Sequence, residues 1–182
     1  MRQSNKTAIL DAAVSVIEAE GITAVTFDSV AAASGVTRGG IIYHFRSRDE
    51  LIAAIHLHLA QRWERQLEAA CGMRAGDATE LERLIAYVRV ATTSATRAEL
   101  LMMLESPNSE HQQAWTDVIE RWIPSPVAGA TGASSSRTIA LLAADGLWVN
   151  DAIGSNRMSP EERLRAAERI IGLIRDASGS VG

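Results

Sequence analysis

Between residues 21 and 51 the signals that start and stop helices follow one another so closely that only short helices joined by a tight turn can fit. Gly21 is a stop. Thr26 caps a helix running through Val30 and Ala33 to Ser34, closed by Gly35, and Thr37 caps another running through Ile41 and Ile42 to Phe45. Two short helices separated by a Ser-Gly-Val turn are a helix-turn-helix pattern. Upstream, residues 7–20 set Ile9, Ala12, Ala13, Val16 and Ile17 on one helical face, which supplies the third helix of a small head.

After the head the helices lengthen. Ser47-Arg48-Asp49-Glu50 reads as a capping box, Ser47 accepting near Glu50 while the Glu50 side chain reaches back. It opens a fourth helix whose Leu51, Ile55, Leu59, Trp63 and Leu67 form one i, i+4 ridge up to Gly72, a strut from head to body. The boundary falls near Ser47, giving a DNA-binding domain at 1–47 and a body at 48–182. Leu81, Leu84, Ile85 and Val88 mark a fifth helix and residues 100–104 a short apolar sixth ended before Pro107. Trp115, Val118, Ile119 and Trp122 mark the buried face of a seventh. Pro124, Pro126, Gly129, Gly132 and the serines at 134–136 predict a flexible connection.

Residues 137–153 are apolar on nearly every side and would need cover all round, more than so small a chain supplies. Ser159-Pro160-Glu161-Glu162 starts a last helix with a cap, a first-position proline and first-turn acids. Its Leu164, Ala167, Ile171 and Ile174 make a seam suited to a partner helix. The two last helices therefore predict a homodimer joined as a four-helix interface through Leu141, Ala144, Leu147, Leu164, Ala167, Ile171 and Ile174. The expected fold is all-α, about nine helices, with no strand and no internal repeat.

Composition restrains this reading. Hydrophobic residues at 47% and charged ones at 22% exclude a disordered chain. Asp11, Glu18 and Glu20 interrupt the apolar N-terminus, against a signal peptide or membrane span, and the single Cys71 fits a reducing cytoplasm. The net charge of −4, with five cations and six anions in the first fifty residues, argues mildly against nucleic acid, whose affinity comes largely from Lys and Arg. Placement has to compensate: Lys6, Arg38, Arg46 and Arg48 cluster around the third helix, whereas Glu18 and Glu20 end the first.

A recognition helix enters the major groove N-terminus first, which puts Thr37 and Arg38 at base edges, Arg38 able to donate two bonds to guanine. Gly39 and Gly40 either let the backbone approach DNA or accommodate helix packing. The Tyr43 hydroxyl and His44 can reach phosphates, as can Thr26 and Arg48 at the start of the fourth helix. Phe27, Val30, Val36, Ile42 and Phe45 are assigned to the head core. His56 and His58, two apart on a helix, point in different directions and make a poor metal pair. His111 reads as solvated surface. Asp145, apolar on both sides, can meet a basic effector, a helix end or a partner subunit. No catalytic set, phosphate loop or metal spacing is identifiable, so neither enzyme activity nor a cofactor is expected.

The stretch GITAVTFDSVAAASGVTRGGIIYHFRSRDEL closely resembles the DNA-binding head of the tetracycline-repressor (TetR) family: Thr26, Ala31, the turn from Ala33 to Thr37, Gly40, Tyr43-His44-Phe45 and the Glu50-Leu51 pair after Arg48. The family usually has Lys where Arg48 stands. The likeness covers roughly the first quarter to third of the chain; beyond it only the helical layout and Asp145-Gly146-Leu147-Trp148 are similar. The resemblance implies a repressor on palindromic operator DNA, released by a small apolar or cationic effector in the body. Trp63, Tyr87, Met103, Trp115 and Trp148 are then pocket candidates, with core filling as the alternative. An effector-independent regulator, and a helical enzyme or adaptor that no longer meets DNA, stay open.

Overall fold

The computed structural model describes residues 5–105, 111–123, 132–154 and 158–179. Among them are nine α-helices and no strand: α1 Asn5–Glu20, α2 Phe27–Ser34, α3 Arg38–His44, α4 Arg48–Cys71, α5 Glu80–Thr93, α6 Arg97–Glu105, α7 Gln112–Trp122, α8 Gly132–Ile153 and α9 Pro160–Gly179, with a 3-10 turn at Ile22–Ala24. No helix among the described residues is long and apolar enough to cross a membrane.

The caps explain the boundaries. Thr26 and Ser29 form a reciprocal box, the Ser29 N–H donating to Thr26 Oγ1 (3.0 Å) and the Thr26 N–H to Ser29 Oγ (2.9 Å). Gly35 ends α2 in the left-handed region at φ 69°, where a side chain would be strained. Thr37 Oγ1 accepts from the Gly40 N–H at 3.1 Å and starts α3. At α4 the predicted box is half right: Ser47 Oγ accepts from the Glu50 N–H, but the Glu50 carboxylate accepts from the Arg46 N–H, one residue further back. Ser159 and Glu162 form the complete box that starts α9.

The chain divides into two compact units, residues 1–61 with 97–115, and residues 62–96 with 116–182. In the first, Ile9, Ala13, Ile17, Val30, Ile41, Phe45, Leu51, Ile55 and Leu59 form the core under α1, α2, α3 and the start of α4. The segment 97–115 joins this unit because α1 and α6 cap each other. The Ala98 N–H donates to Glu18 Oε2 (2.6 Å), and Arg97 Nη1 donates to the Glu18 carbonyl (2.7 Å).

In the second unit α5, α8 and α9 pack on one another. Ala140, Ala144 and Ala167 let the helix backbones approach, and Leu84, Val88, Trp148, Ile170, Ile171 and Ile174 fill between them. Of the predicted dimer seam, Ala144, Ala167, Ile171 and Ile174 are buried within the chain, where α5 as well as α9 packs against α8. Leu141 and Leu147 are half-buried and Leu164 is exposed. The predicted connection is also shorter than expected. Gly132 and residues 134–136 already belong to α8, while Pro124, Pro126 and Gly129 lie outside the described residues.

Candidate nucleic-acid interface

One turn of an α-helix takes 3.6 residues, so a seven-residue helix has two faces and little else. On α3 the inner face is Ile41, fully buried, with Gly40 and His44 half-buried beside it; the outer face is Arg38, Gly39, Ile42 and Tyr43, all exposed. Tyr43 is 85% exposed, and its ring meets the edge of the His44 ring at 5.2 Å. Ile42, assigned to the head core from the sequence, is 42% exposed and belongs to this outer face. Val30 and Phe45 are buried as expected, and Phe27 and Val36 are half-buried.

The two glycines separate cleanly. A Cβ on Gly40 would lie 2.8 Å from Val36 Cγ1, so this glycine serves packing between the turn and α3. A Cβ on Gly39 would meet nothing within 4 Å among the described residues. In-chain packing therefore gives no reason for a residue that costs a helix about 1 kcal/mol relative to Ala.

The cations are more occupied than their sequence positions suggest. Arg38 Nη1 donates to both carboxylate oxygens of Asp28 on α2, at 3.2 and 3.3 Å, an exposed pair of little stabilising worth that still orients the guanidinium. Arg48, expected to face a phosphate, turns back instead: its Nε donates to the Val25 carbonyl (2.9 Å) and Nη2 to the Ile22 carbonyl (3.0 Å), holding the turn that precedes α2. Lys6 Nζ lies 5.6 Å from the centre of the Phe45 ring, a cation–π distance. Thr26 and Thr37 are exposed, and each already accepts one backbone bond as a cap, leaving the hydroxyl proton to donate. The Thr26 proton points to Ser29 Oγ at 3.1 Å.

The five pocket candidates fall into two groups. Trp63 and Trp148 stack at 4.9 Å between centroids, Tyr87 meets Trp63 edge-on at 6.2 Å, and the Tyr87 hydroxyl donates to Asp145 Oδ1 at 2.6 Å. Trp148 Nε1 donates to the Thr96 carbonyl at 2.9 Å. Burial raises the Asp145 carboxyl above its ordinary range, with the Tyr87 hydrogen bond pulling it back, and burial next to that carboxylate pushes the Tyr87 phenol well up.

Trp115 and Met103 belong to the other unit. There Trp115 Nε1 donates to His56 Nδ1 at 3.0 Å, a pairing across fifty-nine positions that no local pattern signals. His56 is buried, and its Nε2 lies 3.4 Å from Glu105 Oε2. Its ring stacks on His111 at 5.0 Å, so His111 is a packed ring and not solvated surface. His58 goes elsewhere, to Asp11 at 2.8 Å.

Comparison with known proteins agrees with this architecture. The family described as bacterial regulatory proteins, tetR family, matches residues 9–55, and the tetracyclin repressor-like C-terminal domain matches residues 81–175. The HTH-type transcriptional regulator AcrR of Shigella flexneri is 29% identical over 101 residues, 55% of this chain and 47% of that protein. SrpR of Pseudomonas putida is 36% identical over 53 residues, 29% of this chain and 25% of that protein. The matched regions thus span about half or less of these curated relatives. Among solved structures, the TetR-family regulator SCO4454 of Streptomyces coelicolor superposes with a TM-score of 0.68 at 20% identity, covering 96% of each chain. The multidrug binding protein EbrR, complexed with ethidium, does so with a TM-score of 0.54 at 17% identity, covering 96% of this chain and 100% of that one. The match to the C-terminal domain alone takes in more than half of the chain, and with the head it establishes the assignment: this chain belongs to the TetR family of transcriptional regulators and carries that family's helix-turn-helix DNA-binding head.

Proposed function

We propose that the protein is a sequence-specific repressor, not an enzyme, acting in the cytoplasm as a homodimer on a palindromic operator. In this reading residues 1–47 bind DNA and 48–182 carry dimerisation and effector response. The observation that carries it is Gly39. It leaves the outward face of α3 bare where no neighbour among the described residues requires space, and a recognition helix meeting base edges is what such a face suits. Arg38 and Thr37 read bases at the N-terminal end, while Tyr43, His44 and Thr26 hold phosphates on either side.

The dimer reading rests on exposed apolar side chains. Ile139, Leu142, Val149 and Ile153 recur along α8 at spacings of 3, 7 and 4, with Leu164 and Leu173 exposed on α9. A stripe of this kind is suited to a two-fold mate, and in this reading Leu164 belongs to it with the half-buried Leu141 and Leu147 at its margin. Two heads fixed by that interface would meet successive turns of DNA.

For the effector, the Trp63, Tyr87 and Trp148 rings beside the Asp145 carboxyl have the chemistry to take an aromatic cation, and EbrR, of the same fold, has been crystallised with ethidium. Such a ligand would release the operator to the extent that it prefers a body conformation the DNA-bound dimer cannot adopt. One observation favours an effector-independent regulator: the three rings and Asp145 already satisfy one another.

Selection of duplexes from a random pool by the full chain tests the central reading. Enrichment of one sequence with two-fold symmetric half-sites is expected, and failure to enrich any duplex overturns it. A thermal-shift series with ethidium separates the two effector readings, because a ligand of the folded state raises the melting temperature.

A further inference from the structure

Ile42 is an apolar residue on the one face of the head that the DNA-binding reading leaves for DNA. At 3.6 residues per turn it stands about 40° round the helix axis from Arg38 and about 60° from Gly39, so it projects between them near the middle of the exposed face. Helical side chains lean toward the N-terminus, so the Ile42 side chain inclines over the preceding turn, where Gly39 has no Cβ and, among the described residues, nothing within 4 Å of where one would be. Arg38 flanks this notch, its guanidinium held by Asp28, and Tyr43 bounds it on the other side. The floor is the bare backbone of Gly39, one wall is a branched hydrocarbon, and the walls beyond are a bidentate donor and a phenol ring. Exposing 42% of an isoleucine to water is a cost that any apolar partner entering the notch would remove.

The major groove offers one kind of apolar group at base edges, the C5-methyl of a pyrimidine. We propose that Ile42, with the Gly39 notch, reads such a methyl group in each half-site, next to the guanine that Arg38 recognises. The inference rests on the DNA-binding reading. Thymine supplies the methyl in unmodified DNA, and 5-methylcytosine carries the same group.

The test uses the full chain and the duplex returned by random-site selection, with each thymine of a half-site replaced singly by deoxyuridine, which lacks only the methyl. At fixed salt, one position is expected to lose roughly fourfold in affinity, the worth of burying one methyl-sized group. Ile42→Ala should bind that site more weakly and show no further loss on the same replacement. Because Ile42 is exposed, the variant should melt within about 2 °C of the wild type, consistent with a surface substitution. A cytosine placed at the sensitive position and then methylated distinguishes the sources: a gain extends the site to methylcytosine, and no gain assigns it to thymine. Equal deoxyuridine sensitivity in wild type and Ile42→Ala, or none at any position, overturns the inference while leaving DNA binding intact. A selection that enriches no duplex overturns the DNA-binding reading and this one together.

Discussion

The head and the aromatic cluster of the second unit handle their candidate functional groups in opposite ways. On α3 the groups face outward: among the described residues a Cβ on Gly39 would meet nothing within 4 Å, Ile42 and Tyr43 are exposed, and Arg38 meets an exposed carboxylate. Around Trp63 each group is closed on another: indole on indole, phenol on indole, hydroxyl on carboxylate. A face kept open despite its cost is suited to a partner that arrives preformed, as duplex DNA does. A cluster that satisfies itself must first be opened, so any effector there competes with the protein's own packing. That difference would let DNA binding be the default and release be conditional.

The largest effect that could break this contrast is at Trp63. If the cluster is closed, Trp63→Ala should lower the free energy of unfolding by about 3–5 kcal/mol in urea titration, as for a large aromatic removed from a packed core. A loss below about 1 kcal/mol would show that the indole borders open space. In the head, Gly40→Ala must move Val36 and should destabilise by about 1–2 kcal/mol, whereas Gly39→Ala should leave stability equal or up to about 1 kcal/mol higher and still weaken operator binding. Stability and DNA affinity moving together at Gly39 would mean that its openness has no purpose outside the chain.

Arg48→Ala should remove about 1 kcal/mol through the lost hold on the Val25 and Ile22 carbonyls. Its log affinity against log salt should keep the wild-type slope. A slope shallower by about 0.9 would give Arg48 back the phosphate contact that its position in the sequence suggests.

The smallest effect concerns pH. Burial and the neighbouring His111 hold His56 below its ordinary pKa, and Glu105 pulls the other way. The unfolded chain then binds the proton more readily than the folded one. The stability tied to neutral His56 is therefore present above about pH 6.5 and declines as pH falls from there toward the folded value. Protonation would also set an N–H at Nδ1 against the Trp115 indole N–H. Thermal melts from pH 7.5 to 5 should show this decline in the wild type and a weaker one in His56→Gln.

What could be read from the sequence was what is local. The Thr26–Ser29, Thr37–Gly40 and Ser159–Glu162 caps each join residues three apart, so the elements they start were legible, and with them the helix-turn-helix. Pairings across the fold were not. Arg38 finds Asp28 ten positions away, Arg48 finds Val25 at twenty-three and Trp115 finds His56 at fifty-nine. Periodicity also failed where it was too short or too full. Seven residues of α3 could not tell whether Ile42 faces in or out, and a helix apolar on every side, α8, could not say which residues its own chain covers and which it leaves for another.

The central claim is that the open face of α3 reads bases, and random-site selection run in parallel on the wild type and Arg38→Ala tests it most directly. A guanine preferred in each half-site by the wild type is expected, with that preference flattened in Arg38→Ala while the flanking symmetry persists. The same guanine preference in both proteins, or no enriched duplex with either, would contradict it.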